Sequence, residues 1–209
     1  MARRVNAFAI LWWIWRGDQG MSRWEPGARD RLERAALDLF LERGFDQTTV
    51  PQITARAGLT TRTFFRHFAD KREVLFAGED VVPALVAELI AQAPASMGPM
   101  EVIRWGFQTI ATTLFQDRID FLRKRRAVID SNEGLREREL GKLANLSDSI
   151  ASGFLARGVD DLHATLAAET AVTVFKVAVR RWIDQTDSDL LAIIAETIDA
   201  LIAVTTIPR

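Results

Sequence analysis

The sequence predicts an all-α protein of about nine helices, and three observations carry that expectation. Apolar residues recur at three- and four-residue spacing through most of the chain, and no segment alternates with period two for long enough to make a strand. Capping residues (Thr49, Thr60, Asp70, Asp160) precede the periodic runs, and Gly44, Gly58 and Gly158 end them. Between Thr48 and Leu75 two short helical patterns meet at a glycine turn, the layout of a helix-turn-helix. The expected architecture is an N-terminal three-helix unit followed by a C-terminal helical bundle. The expected division is 1–21 as an N-terminal extension, 22–70 for the first unit and 71–209 for the second.

Residues 1–20 do not fit the rest. Arg3 and Arg4 precede an apolar run from Val5 to Trp15 that ends at Arg16, too short to span a bilayer, and no small-residue cleavage pattern follows. The expectation is a start-site error, with translation beginning at Met21. A greasy arm packed on a neighbouring domain is the alternative. No membrane partner is expected.

Arg29 to Arg43 reads as an amphipathic helix with Leu32, Ala35, Ala36, Leu39 and Phe40 inward, stopped by Gly44. Arg29, Arg31 and Arg34 are expected in solvent. Thr49 caps the next helix, with Pro51 in the first turn where a missing N–H costs nothing. Gly58 supplies the tight turn. Thr60 caps a helix from Thr61 to His67 whose inner side is Phe64 and Phe68, and Asp70 with Glu73 forms a capping box opening a long helix to about Ala93, kinked at Pro83. After a break at 93–99, helices are expected at about 100–115, 119–130, 133–157, 161–184 and 188–204.

The polar side of the Thr61–His67 helix suits duplex DNA. Arg reaches guanine edges with two hydrogen bonds, and Thr bonds phosphate or touches a thymine methyl. Arg62 and Arg66 are the expected base readers. Thr49, Thr60, Thr61, Thr63, Phe65, His67 and Lys71 complete the DNA-facing set, with Lys71 and Arg72 offering a helix N-terminus to phosphate. A net charge of −1 alone speaks against a nucleic-acid partner, but the charge is uneven. Residues 1–76 hold 13 Lys/Arg against 9 Asp/Glu, a net of +4; residues 77–209 hold 14 against 19, a net of −5.

Enzyme chemistry finds no foothold. The two histidines, His67 and His163, lack metal-ligand spacing, and there is no Cys, phosphate loop or nucleophile elbow. No catalytic residue, metal or cofactor is expected. The absence of Cys suits a cytoplasmic protein. A helical scaffold without DNA contact is the competing class, since it would share the C-terminal half but have no use for Arg62, Arg66 and Lys71; a carboxylate-only helical enzyme is the weaker one.

From Ala36 to Leu75 the chain resembles, without a gap, the DNA-binding domain of the tetracycline-repressor (TetR) family of transcriptional regulators. The recurring positions are Gly44-Phe45, Thr48-Thr49-Val50, Ala57-Gly58-Leu59, Thr63-Phe64-Phe65, Phe68 and Lys71. Two positions depart: Phe65 stands where the family usually has a phosphate-bonding Tyr, and Arg62 where a small residue is common. Leu135 to Leu140 and Arg180-Arg181-Trp182 look similar to a branch of mycofactocin-type regulators, some of which respond to acyl-CoA thioesters.

The resemblance implies a repressor that binds a palindromic operator as a homodimer and is released by a small apolar or amphipathic effector. It implies dimerisation through the last two helices, whose apolar stripes are wider than one core face needs. The expected interface is Ala171, Val174, Phe175, Ala178, Trp182, Ile194, Ile198 and Leu201. It also implies an effector pocket among the middle helices, expected at Arg104, Trp105, Gln108, Thr112, Phe115, Phe121 and Arg126.

Overall fold

The computed structural model describes residues 27–76, 82–114, 119–185 and 189–206, with backbone only at 110–114. The described residues form ten α-helices and no strand: α1 Ala28–Arg43, α2 Val50–Ala57, α3 Thr61–His67, α4 Glu73–Phe76, α5 Val82–Gln92, α6 Pro99–Leu114, α7 Ile119–Asp130, α8 Glu133–Ala156, α9 Asp161–Asp184 and α10 Leu190–Thr205. The all-α expectation holds, and most helices lie within two residues of their expected ends. The exception is the long helix expected from Lys71 to Ala93. Helix is present at 73–76 and again from Val82, and 77–81 lie outside the described residues. Pro83 is the second residue of α5 as described, and the kink expected there involves preceding residues that lie outside the described ones. The N-terminal extension also lies outside the described residues.

Compactness divides the chain differently from a boundary at residue 70. One unit holds α1 to α4 together with α7 and the start of α8, up to Gly141; the other holds α5, α6, the rest of α8, α9 and α10. The first has a continuous core of Leu32, Ala36, Phe40, Ile53, Phe64, Phe68 and Phe76 from α1 to α4, joined by Val128 and Ile129 of α7 and Leu135 of α8. Lys124 on α7 pairs with Asp38 on α1 at 2.6 Å.

In the second unit α9 lies along α10, and both pack on α6. Ile90, Val102, Ile103, Phe154, Ala164 and Ala168 belong to its core. Arg157, near the end of α8, closes the C-terminus of α5 by donating to the carbonyls of Ile90 (2.9 Å), Ala93 (2.7 Å) and Pro94 (2.8 Å). These are the acceptors a helix end leaves without intrahelical donors. By length and composition alone α9 could cross a bilayer, but Ala164, Val174 and Ala178 along it are fully buried among helices.

That burial corrects the expected interface. Val174 and Ala178 are 0% exposed and Ile198 is 1% exposed within a single chain, so they are core and unavailable to a partner. Ala171, Trp182 and Ile194 are buried as well, while Phe175 and Leu201 are half-buried. The apolar surface left over lies elsewhere on the same helices: Leu162, Leu166 and Val177 on α9, Ile202 and Val204 on α10.

Candidate nucleic-acid interface

The geometry of α2 and α3 follows from local chemistry. The Thr49 N–H donates to Gln52 Oε1 at 2.8 Å, closing the first turn of α2. At the other end Gly58 adopts φ +65°, ψ 37°, and the Leu59 N–H returns to the Thr54 carbonyl at 2.8 Å. A side chain at Gly58 would be strained by its φ, and its Cβ would stand 2.9 Å from Arg31 Nη2. Arg31 is exposed, as expected, but it is not idle. Its guanidinium donates to the Ala57 carbonyl and reaches that of Gly58 at 3.4 Å, tying α1 to the turn.

Thr60 caps α3 by accepting the Thr63 N–H at 3.1 Å, and the two hydroxyls are 3.0 Å apart. The hydroxyls expected to meet phosphate at Thr60 and Thr63 thus also hold each other. Phe64, with no exposure, and Phe68, with 2%, fix the inner side of α3, their rings tilted at 5.4 Å. Opposite them Thr61, Arg62, Phe65 and Arg66 are exposed, with Thr63 and His67 half-buried at the flank. Arg66 Nη2 lies 3.5 Å from His67 Nε2. Arg62 makes no hydrogen bond or ion pair among the described residues. Thr49 is exposed at the start of α2.

Lys71 does something other than what the sequence suggests. Its ammonium donates to the carbonyls of Phe45 (2.8 Å), Thr48 (2.9 Å) and Asp46 (3.2 Å), which occupies all three of its protons. It is a strut for the α1–α2 loop rather than a free cation aimed at phosphate. The adjoining helix N-terminus is occupied too. Asp70 Oδ1 accepts the N–H groups of Arg72 (2.7 Å) and Glu73 (3.0 Å), and Arg72 pairs with Asp70 Oδ2 at 2.9 Å. Half of the expected capping box is present, but Glu73 turns to Arg138 on α8 instead of reaching back.

The expected pocket residues are not gathered within either unit. Arg104, Trp105 and Gln108 belong to the C-terminal unit, where Arg104 pairs with Asp199 at 2.6 Å and Trp105 leans on the core. Phe121 and Arg126 belong to the other unit, Phe121 packing on its core and Arg126 pairing with Asp130 at 3.2 Å. The side chains of Thr112 and Phe115 lie outside the described residues. The C-terminal unit does carry an open groove of about 580 Å³ between α5 and α8, lined by Pro83, Ala84, Ala87, Ala91, Ser152 and Gly153 among others. None of these was expected from the sequence, since small residues carry no ligand signal of their own.

Comparison with known proteins agrees with this geometry. Residues 33–77 match the profile described as bacterial regulatory proteins of the tetR family, and residues 97–206 match the MftR C-terminal domain. The chain is 28% identical over 174 residues to the HTH-type transcriptional regulator TcmR of Streptomyces glaucescens, covering 79% of this chain and 77% of that protein. In fold it is similar to Thermus thermophilus FadR, a TetR-family transcriptional repressor solved with lauroyl-CoA (TM-score 0.54, 24% identity, 87% of this chain and 96% of that one). It is also similar to SmeT in its triclosan complex (TM-score 0.58, 20% identity, 88% and 98% covered).

Proposed function

The chain belongs to the tetracycline-repressor (TetR) family of bacterial regulatory proteins, and from that premise we propose a homodimeric repressor released from a palindromic operator by an apolar or amphipathic small molecule. Family membership makes it a DNA-binding transcriptional regulator rather than an enzyme. The proposal concerns how it reads DNA, with what symmetry, and what releases it.

The observation that carries the reading is α3 itself. Seven residues long, it is anchored by a fully buried Phe64 and presents Thr61, Arg62, Phe65 and Arg66 together to solvent. Laid in a major groove, Arg62 and Arg66 read guanine edges, while Thr49, Thr61 and Thr63 bond the flanking backbone. Two such helices address half-sites about one helical turn apart if the protein is a two-fold dimer.

The exposed stripe Leu162, Leu166, Thr173 and Val177, spaced four and seven residues apart along α9, is the dimer face we propose, together with the exposed Ile202 of α10. The FadR and SmeT complexes, with lauroyl-CoA and triclosan, support an apolar or amphipathic effector here. A regulator of this kind works in the cytoplasm, where its operator is.

The test uses the purified full chain. Selection from a random duplex library should enrich a palindrome, and binding to it should weaken linearly in log–log plots as salt rises. Native mass spectrometry should find two subunits, with any co-purified small molecule lowering operator affinity when added back. A single-subunit species that enriches no duplex would sink the proposal.

A further inference from the structure

Phe65 is the one large apolar side chain on the solvent face of α3. It is 58% exposed, while its neighbour Phe64, whose ring meets it edge-on at 5.5 Å, has no exposure at all. Core packing therefore does not account for the outer ring. On that face Phe65 stands one helical turn beyond Thr61 and Arg62 and next to Arg66, all exposed. The ring has no polar atom, so it bonds neither phosphate nor a base edge. The part of a major-groove floor that matches an aromatic edge is the thymine C5-methyl, a group that is chemically distinct from everything Arg62 and Arg66 read.

Resting on the DNA-binding reading above, we propose that Phe65 is a specificity-determining residue that reads a thymine methyl in each operator half-site, beside the guanine contacts of the two arginines. The cations hold the helix in the groove, and the ring discriminates by burying a methyl group. Cytosine at the same position lacks that methyl, and adenine or guanine presents polar atoms to the ring instead, leaving them unpaired. The position then favours T over the other three bases without a hydrogen bond.

The experiment uses the duplex enriched by selection with the full-length protein. Each thymine is replaced in turn by deoxyuridine, which removes the methyl and leaves the hydrogen-bonding edge intact. At one position per half-site, wild-type affinity should fall about fourfold, the effect of about 0.8 kcal/mol for one buried methylene-sized group. Replacing both half-sites together should compound to about 15-fold for a dimer. Phe65→Ala should bind the thymine duplex more weakly by a similar factor and be indifferent to deoxyuridine there. Phe65→Tyr, which keeps the ring, should retain the discrimination. If the wild type enriches a duplex with normal salt dependence but no thymine substitution matters, or Phe65→Ala still discriminates, this inference fails and the DNA-binding reading stands. If no duplex is enriched, both fall.

Discussion

Lys71 reaches back 26 residues to Phe45, donating to its carbonyl at 2.8 Å with the ammonium 4.5 Å from the centre of its ring. The contact combines a charge-assisted hydrogen bond with a cation–π interaction, and it fixes the loop that launches α2. Thr48, fully buried in the same loop, donates to the Gly44 carbonyl at 2.9 Å or that of Leu39 at 3.2 Å. Lysine and threonine together satisfy carbonyls that a loop of this kind would otherwise leave without donors.

Lys71→Ala should therefore act on stability. It removes three hydrogen bonds and leaves partly buried acceptors to water, a loss of about 1–3 kcal/mol. Thermal melting should show a lowered midpoint, while the salt slope of operator binding stays at its wild-type value. A flattened slope with an unchanged midpoint would instead make Lys71 a phosphate contact.

Arg62→Ala should do the reverse. The side chain is exposed and without a hydrogen bond or ion pair among the described residues, so the melting midpoint should not move. Operator affinity should drop by about 1–3 kcal/mol and discrimination should relax at one base position. Competition binding with single-base operator variants measures both.

The difference between Lys71 and Arg62 shows where sequence reading works. The span of α3 and its Phe64 and Phe68 anchors were legible because i and i+4 spacing is a local signal. Arg62 was legible as exposed for the same reason. The partners of Lys71 and Arg31 were not, because those are main-chain carbonyls some 25 residues away, and every residue carries one. The inward phase of α9 was not legible either. Val174 and Val177 are both apolar on a helix that is apolar almost all round, so hydropathy does not say which one faces inward. Burial separates them, at 0% and 43% exposed.

That separation makes a paired test of the dimer. Val177→Glu places a carboxylate on the exposed stripe and should yield a folded monomer with weakened operator binding. Val174→Glu buries an unpaired charge in the chain's own core, so the protein should fail to fold or melt far earlier. Sedimentation with circular dichroism distinguishes the two. A stable Val177→Glu dimer would move the interface elsewhere.

Asp160 sets an acid limit at the start of α9. Its carboxylate accepts the His163 backbone N–H at 3.2 Å, and that bond is the largest cause holding its pKa below the ordinary aspartate value; the His163 ring at 2.6 Å adds to it. A lowered folded pKa means the stabilisation is present above the unfolded aspartate value and is lost as pH falls through the folded one. Asp160→Ala should melt earlier than wild type at neutral pH, and the gap should narrow as the buffer is acidified into the carboxylate range. A gap that is constant with pH would remove the charge from the account.

The compact unit that carries α3 also includes α7 and the start of α8. Phe76 closes α4 with no exposure, and the Arg125 and Arg138 guanidiniums lie 5.1 and 5.3 Å from its ring centre. Arg125 also donates to the Leu75 carbonyl at 2.6 Å and to Glu139 at 2.8 Å, and Arg138 pairs with Glu73. Both arginines come from α7 and α8, as do the buried Val128, Ile129 and Leu135 that complete the same core. A fragment of residues 22–76 loses all of these. Burial of each large apolar side chain is worth about 1.5–3 kcal/mol, and native domains have only about 5–15 kcal/mol in hand. Such a fragment should therefore lack a cooperative melt and operator binding, although it contains every base-reading residue. Within the full chain, Arg125→Ala should lower the melting midpoint and leave base discrimination unchanged. If the isolated fragment melted cooperatively and bound the operator, α7 and α8 would be accessories to the unit rather than part of it.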